Sequence, residues 1–167
     1  QRAYARPGEW VFIHGASGGV GTAAIQLSRA LGLQVIGSAG TAEGLDLVRR
    51  LGAQHAVNHR ENGYLDQVMQ ITGGRGADVV LEMLANVNLE KDLTVIAPRG
   101  RNCVIGNRGT IEIDPRKAMS KDAAILGVQL GITPPDERRS LHTFINAGLE
   151  NGTLSPGVGS EMSLGEA

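Results

Sequence analysis

Ala16, Gly18 and Gly21 stand in an A-x-G-x-x-G pattern within Trp10-Val-Phe-Ile-His-Gly-Ala-Ser-Gly-Gly-Val-Gly21. Small residues at this spacing suit one kind of chemistry, the holding of an anion by the backbone itself. The first allows a tight turn off a strand. Gly18 has no Cβ, so N–H groups there can approach a pyrophosphate, and Gly21 lets a following helix pack close to a sheet. The unpaired N–H groups at such a helix start lie at the positive end of its dipole. A glycine-rich turn without a ligand is the alternative. The apolar run before it and the amphipathic pattern after it favour the dinucleotide-binding fingerprint, with Ala for the first Gly.

The second chemical signal is a missing one. NAD-binding sites of this kind hold the ribose 2′-hydroxyl with an Asp or Glu about 20 residues past the glycines. That place is Ser38-Ala39-Gly40-Thr41. A carboxylate there would repel a 2′-phosphate, so its absence favours NADP over NAD, unless an acid arrives from elsewhere, Glu43 being nearest. His59 and Arg60 are the candidate counter-charges, with a solvated loop as the competing reading. No nucleophile, metal cluster or acid/base pair is evident. His14 and His142 lack partners at ligand spacing. Cys103 lies inside an apolar run and reads as core. Glu82, at a strand end, is placed to touch a ribose or a loop.

Alternating strand and helix patterns must position these residues. Strands are expected at 10–13, 33–38, 55–58, 77–83, 101–105 and 123–130. Val79-Val80-Leu81 reads as buried on both faces and hence central. Between them come a helix with Val20, Ala24, Leu27 and Leu31 stopped by Gly32, and one capped by Thr41 that ends at Gly52. Further helices are expected over 64–72, over a stripe of Leu89, Leu93 and Ile96 closed by Pro98 and Gly100, and weakly over 115–121. A last helix opened by Pro134-Pro135-Asp136 would bury Leu141, Phe144, Ile145 and Leu149. The predicted class is α/β: a Rossmann-type, doubly wound, parallel six-stranded sheet of order 3-2-1-4-5-6 with helices on both faces.

The 167 residues fit a single domain, with 41% hydrophobic and 20% charged residues. A formal net charge of −1 argues against a general grip on nucleic acid or an anionic membrane. No apolar run reaches spanning length. A single cysteine fits a reducing cytoplasm. The chain opens on Gln and closes without a strong element, so it reads as a piece of a longer protein whose substrate domain is absent.

Several stretches together resemble zeta-crystallin-type quinone oxidoreductases, zinc-free members of the medium-chain dehydrogenase/reductase superfamily. They are His14-Gly-Ala-Ser-Gly-Gly-Val-Gly21, Ala39-Gly-Thr41, Asn58-His-Arg-Glu61, Glu82-Met-Leu-Ala-Asn-Val-Asn-Leu89 and Gly106-x-Arg-Gly-Thr-Ile-Glu-Ile113. The resemblance implies an NADPH-dependent reductase of quinones and related enones, a cytosolic homo-oligomer. It places cofactor contacts on Ser17, Gly18, Gly19 and Val20 at the pyrophosphate, on Gly40 and His59 at the adenosine phosphate end, and on Asn88. Ile105, Gly106, Asn107 and Arg108, with Val128, Gln129 and Leu130, would lie toward the nicotinamide. Two places depart from the pattern: Gly44, where bacterial relatives carry Lys, and the short Gly131-Ile132-Thr-Pro-Pro135 loop. The enoyl-reductase domain of a fatty-acid or polyketide synthase is the nearest alternative. A non-enzymatic crystallin or AU-rich RNA-binding role is another, although Arg49-Arg50 and Arg138-Arg139 read as solvated helix faces.

Overall fold

Six apolar runs form one sheet in a computed structural model, which describes residues 2–166. In chain order the elements are β1 (Trp10–Ile13), α1 (Gly19–Ala30), β2 (Gln34–Ala39), α2 (Ala42–Arg50), β3 (His55–Asn58), α3 (Tyr64–Ile71), β4 (Ala77–Glu82), α4 (Ala85–Val95), β5 (Ile96–Val104), α5 (Pro115–Met119), β6 (Ala124–Gly127) and α6 (Pro135–Glu150). The strand order is β3-β2-β1-β4-β5-β6, and each neighbouring pair is parallel. The order reverses between β1 and β4, where Ile13 stands beside Leu81. The predicted Rossmann-type α/β fold is thereby established.

Alternation along the strands divides the core in two. Val11, Ile13, Val35 and Val79 pack with Ala24 and Ile25 of α1 and Val48 of α2 on one face. Phe12, Ile36 and Val80 pack with Val68 of α3 and Val95 of α4 on the other. Residues of opposite parity face opposite sides of a pleated sheet, so α1 and α2 cover one side and α3 and α4 the other. Cys103 is buried in the first cluster, as expected of a core thiol. No helix among the described residues is long and apolar enough to cross a membrane.

Turn chemistry sets the helix ends. Thr41 caps α2, its hydroxyl accepting the Gly44 N–H at 3.1 Å. Gly32 and Gly52, both at positive φ, follow the C-terminal ends of α1 and α2.

Three expectations are corrected. The stripe read as helix through Ile96 ends at Val95, and Ile96 begins β5 by pairing with Ala77. Pro98 and Gly100, read as stop signals, lie instead inside that strand, where the pairing with β4 shifts register. Ile96 is fully buried against Phe12 and Val80, so packing on the sheet outweighs its helical spacing. The sixth strand covers 124–127, shorter than the expected 123–130. Val128 still donates to the Val104 carbonyl at 3.0 Å, and the chain then turns into a short 3-10 helix, Leu130–Ile132. On α6 the expected core face stays largely open: Phe144 and Leu149 are exposed, and Gly148 is the buried residue, covered by Leu154.

Candidate functional site

The crevice at the carboxyl ends of β1 and β4 is the topological switch point, where open α/β sheets bind ligands. Gly15, at φ +55, turns the chain off β1. The turn is pinned to β2, because Ala16 N–H donates to the Ser38 carbonyl at 2.8 Å and Gly15 N–H to the Ser38 hydroxyl at 3.3 Å. Helix α1 then starts with Gly18 as its N-cap, without a side-chain cap and without an acid in its first turn. The first intrahelical bond runs from Thr22 N–H to the Gly18 carbonyl. The N–H groups of Gly19, Val20 and Gly21 therefore have no intrahelical acceptor and face the crevice end of the helix dipole. Gly19 and Val20 are exposed there. An ideal Cβ at Gly19 would meet nothing within 4 Å, which is open space of the kind an anion needs.

Ser17, Gly18, Gly19 and Val20 form the turn and helix start. Gly40 follows β2, and an ideal Cβ there would lie 2.8 Å from His59 Nε2 and 2.9 Å from Arg60 Nε. Both cationic candidates thus lie across Gly40, and neither forms a salt bridge among the described residues. Burial, the nearby His14 and Arg60 together hold the His59 imidazole below its usual range. Gly44, where a relative's Lys would stand, has its Cβ direction 3.1 Å from Ala39 Cβ and 3.2 Å from Ser17 Oγ. A side chain there would begin against the turn after β1.

On the other side of the switch point, Ile105 and Gly106 donate to the Glu82 carbonyl at 2.9 and 3.1 Å. A Cβ on Gly106 would lie 2.2 Å from the Met83 carbonyl oxygen, so only glycine allows this approach. Ile105, Gly106 and Asn107 line a cavity of about 780 Å³ together with Val128, Gln129 and Leu130. Arg108 stands outside that lining, its N–H donating to Asn86 Oδ1 at 2.9 Å. Asn86, which sequence spacing did not single out, stitches this loop to the start of α4.

Beneath the crevice lies a cluster that the sequence left unread. His14 follows β1, Glu82 ends β4, Asp92 comes from α4 and Asn102 from β5, and all four are buried. Sequence spacing gives His14 no ligating neighbour, yet the fold supplies two from 68 and 78 residues away. His14 Nε2 lies 2.7 Å from Asp92 Oδ1 and 3.3 Å from Glu82 Oε2. Asn102 Nδ2 donates to Asp92 Oδ2 at 2.8 Å. Glu82 Oε1 accepts from Leu84 N–H and, at 3.2 Å, from Asn88 Nδ2. Glu82 therefore touches the loop that its strand-end position suggested. Burial lowers the His14 value, but the Asp92 hydrogen bond and the two carboxylate charges raise it further, for a net upward shift.

A family profile described as "Zinc-binding dehydrogenase" matches residues 19–147, more than half of the chain. The chain belongs to the zinc-binding dehydrogenase family. Human quinone oxidoreductase is 47% identical over 162 residues, covering 97% of this chain and 49% of that protein. The crystal structure of 2-haloacrylate reductase superposes with a TM-score of 0.86 at 28% identity, covering 92% of this chain and 50% of that one. Escherichia coli quinone oxidoreductase, solved in complex with NADPH, gives 0.83 at 27% identity, covering 93% and 49%. The chain thus spans about half the length of the relatives it matches.

The family name raises zinc. Among the described residues, His14, Glu82 and Asp92 are the one group with metal-binding atoms close together. Two ligand atoms on a tetrahedral zinc stand about 3.3 Å apart, given bonds of 2.0–2.1 Å. The 2.7 Å His14–Asp92 contact is a hydrogen bond and closes that space. This cluster does not fit zinc.

Proposed function

We propose that this chain is the cofactor-holding half of an NADPH-dependent, zinc-free reductase of quinones and related enones. The observation that carries the reading is the uncapped start of α1 at the switch point, with the Arg60 guanidinium and the His59 imidazole lying over Gly40. An anion on the α1 N–H groups and a second phosphate beside Gly40 match the central pyrophosphate and the adenosine 2′-phosphate of NADPH. NADPH in the relative from Escherichia coli supports the same choice.

When bound, the nicotinamide supplies a hydride to the acceptor. The residues of this chain bind, orient and exclude water. Ser17, Gly18, Gly19 and Val20 hold the pyrophosphate; Gly40 leaves room for His59 and Arg60 to approach the ribose phosphate, Arg60 as its counter-charge and the His59 imidazole as a hydrogen-bond donor. Asn88 stands after β4, and Ile105, Gly106, Asn107, Arg108, Val128, Gln129 and Leu130 form one wall around the nicotinamide. The second wall belongs to a substrate domain outside this chain. Kinship with human quinone oxidoreductase supports a stand-alone quinone reductase over a synthase enoyl-reductase domain. A reducing cytoplasm and a homo-oligomer complete the proposal.

Calorimetric titration with NADPH and NADH tests it. Tighter NADPH binding is expected, with the preference reduced in Arg60→Ala. Equal or tighter binding of NADH sinks the NADP assignment, and no binding of either sinks the cofactor role.

A further inference from the structure

The polar floor of the crevice has a proton count that its hydrogen bonds reveal. His14 Nε2 carries one N–H, and Asp92 Oδ1 at 2.7 Å takes it in preference to Glu82 Oε2 at 3.3 Å. Asp92 Oδ2 is satisfied by Asn102. Glu82 Oε1 is satisfied by Leu84 N–H and Asn88. Among the described residues, Glu82 Oε2 is the one carboxylate oxygen buried without a hydrogen-bond partner, the amide oxygen Asn102 Oδ1 being the other unpartnered buried side-chain atom. A bare carboxylate oxygen in a dry site is costly, and two neighbouring carboxylates facing a single imidazolium do not both ionise readily. A proton on Glu82 Oε2 removes the surplus charge and turns an orphan acceptor into a donor toward Asp92. The metal-like cluster then holds a proton where an ion has no room. Oε1, now the carbonyl oxygen, remains the acceptor that ties down the loop after β4.

We propose that Glu82 is a positioning residue, present as the neutral acid, whose Oε1 fixes the β4–α4 loop and, through Asn88, the shape of the nicotinamide end of the crevice. The link to the nicotinamide rests on the cofactor reading above; the protonation of Glu82 and its grip on the loop do not. Electrostatics agree in direction: burial and Asp92 raise the Glu82 value, and His14 and the Leu84 N–H oppose them without reversing the shift. The other groups facing the cluster are few. Lys91 on α4 and His59 after β3 act on or feel His14, and Tyr64 on α3 is pushed up to about 12 by burial, Asp92 and Glu82, so its phenol stays neutral.

The test is a carbon-13 NMR titration of the chain labelled at its glutamate carboxyls, with Glu82→Gln assigning the resonance. The Glu82 signal is expected to stay at its acid position through neutral pH. The amide signals of Leu84 and Asn88 should move with its midpoint at higher pH. Glu82→Gln, isosteric with the acid, should bind NADPH within about threefold of the parent chain, whereas Glu82→Ala, lacking the acceptor, should bind about tenfold more weakly. Asn88→Ala should lose affinity without loss of fold. An ionised Glu82 at neutral pH overturns the proposal, as does a Gln variant as impaired as Ala, or stoichiometric zinc uptake that disappears in Glu82→Gln. If the parent chain bound no NADPH, the cofactor reading would fall while the titration and the two amide signals still decided Glu82. The Leu84 and Asn88 amide signals are assigned by backbone connectivity in the unmutated chain, so their midpoint decides the protonation of Glu82 even where a variant fails to fold.

Discussion

Gly19 separates binding from folding more cleanly than its neighbour. A Cβ on Gly18 would come within 3.3 Å of the Gly15 carbonyl oxygen, whereas one on Gly19 meets nothing. Gly19→Val is therefore expected to fold and to melt no lower than the parent chain, since Val is a better helix former than Gly, yet to lose NADPH binding in calorimetry. Unchanged affinity in that variant would remove the turn from the site. Asp92 is the opposite kind of residue. Asp92→Ala leaves the His14 imidazolium and the Asn102 amide facing a void, and breaking a buried charged cluster by one partner costs about 3–5 kcal/mol. Urea unfolding reads that loss, and a cost under 1 kcal/mol would contradict the ion pair. The pH profile has two limbs of known sign. Burial tends to raise Glu9, but two contacts from Arg101, at 2.6 and 3.1 Å, and the Arg6 N–H bring it net below its usual 4.5. Its stabilisation is present above 4.5 and is lost as pH falls through the lowered value. His14, raised above its usual 6.5, contributes fully below 6.5 and loses that contribution as pH rises through its folded value. Melting temperature against pH should fall on both sides, and Arg101→Ala should flatten the acid limb.

At the scale of elements, the close seating of α1 against the turn depends on one position. A Cβ on Gly21 would lie 2.5 Å from both Ala16 Cα and the Gly15 carbonyl oxygen, so even Ala must lift the helix. Overpacking of this kind costs about 1–3 kcal/mol, and Gly21→Ala should show it in urea unfolding together with weaker NADPH binding. A stable variant with full affinity would mean that the helix start can shift without disturbing the anion site. Strand β5 makes the complementary point. Its first residues carry helical spacing, but Ile96 gains a buried place beside Ala77 only as a strand. Local pattern yields there to the sheet.

For the whole molecule, the share of each relative covered shapes the expectation. The chain spans about half of human quinone oxidoreductase and presents a cavity of about 780 Å³ at the carboxyl ends of β5 and β6. Holding an acceptor in near-attack geometry supplies about 7–11 kcal/mol of a barrier. The chain alone should therefore bind NADPH but oxidise it with a simple quinone far below the roughly 10 s⁻¹ median of enzymes. Turnover near that rate would show that these residues complete the acceptor pocket.

By itself the sequence determined the class of fold, the strand order, the helix caps at Thr41 and Gly32, and the small-residue turn at 15–21. Those features are local or periodic: a side-chain pattern of two or 3.6 residues and a glycine where φ must be positive are written in adjacent positions. The tertiary structure alone decided that Ile96 is strand, that the apolar side of α6 stays open, and that His59 and Arg60 meet over Gly40. It also decided the buried cluster. His14, Glu82, Asp92 and Asn102 come from four different elements, and only the parallel register that sets Ile13 beside Leu81 and Leu81 beside Cys103 brings them together. Contacts made by sheet register have no signature in the spacing of their residues, because that spacing is set by the helices and loops that cross between strands.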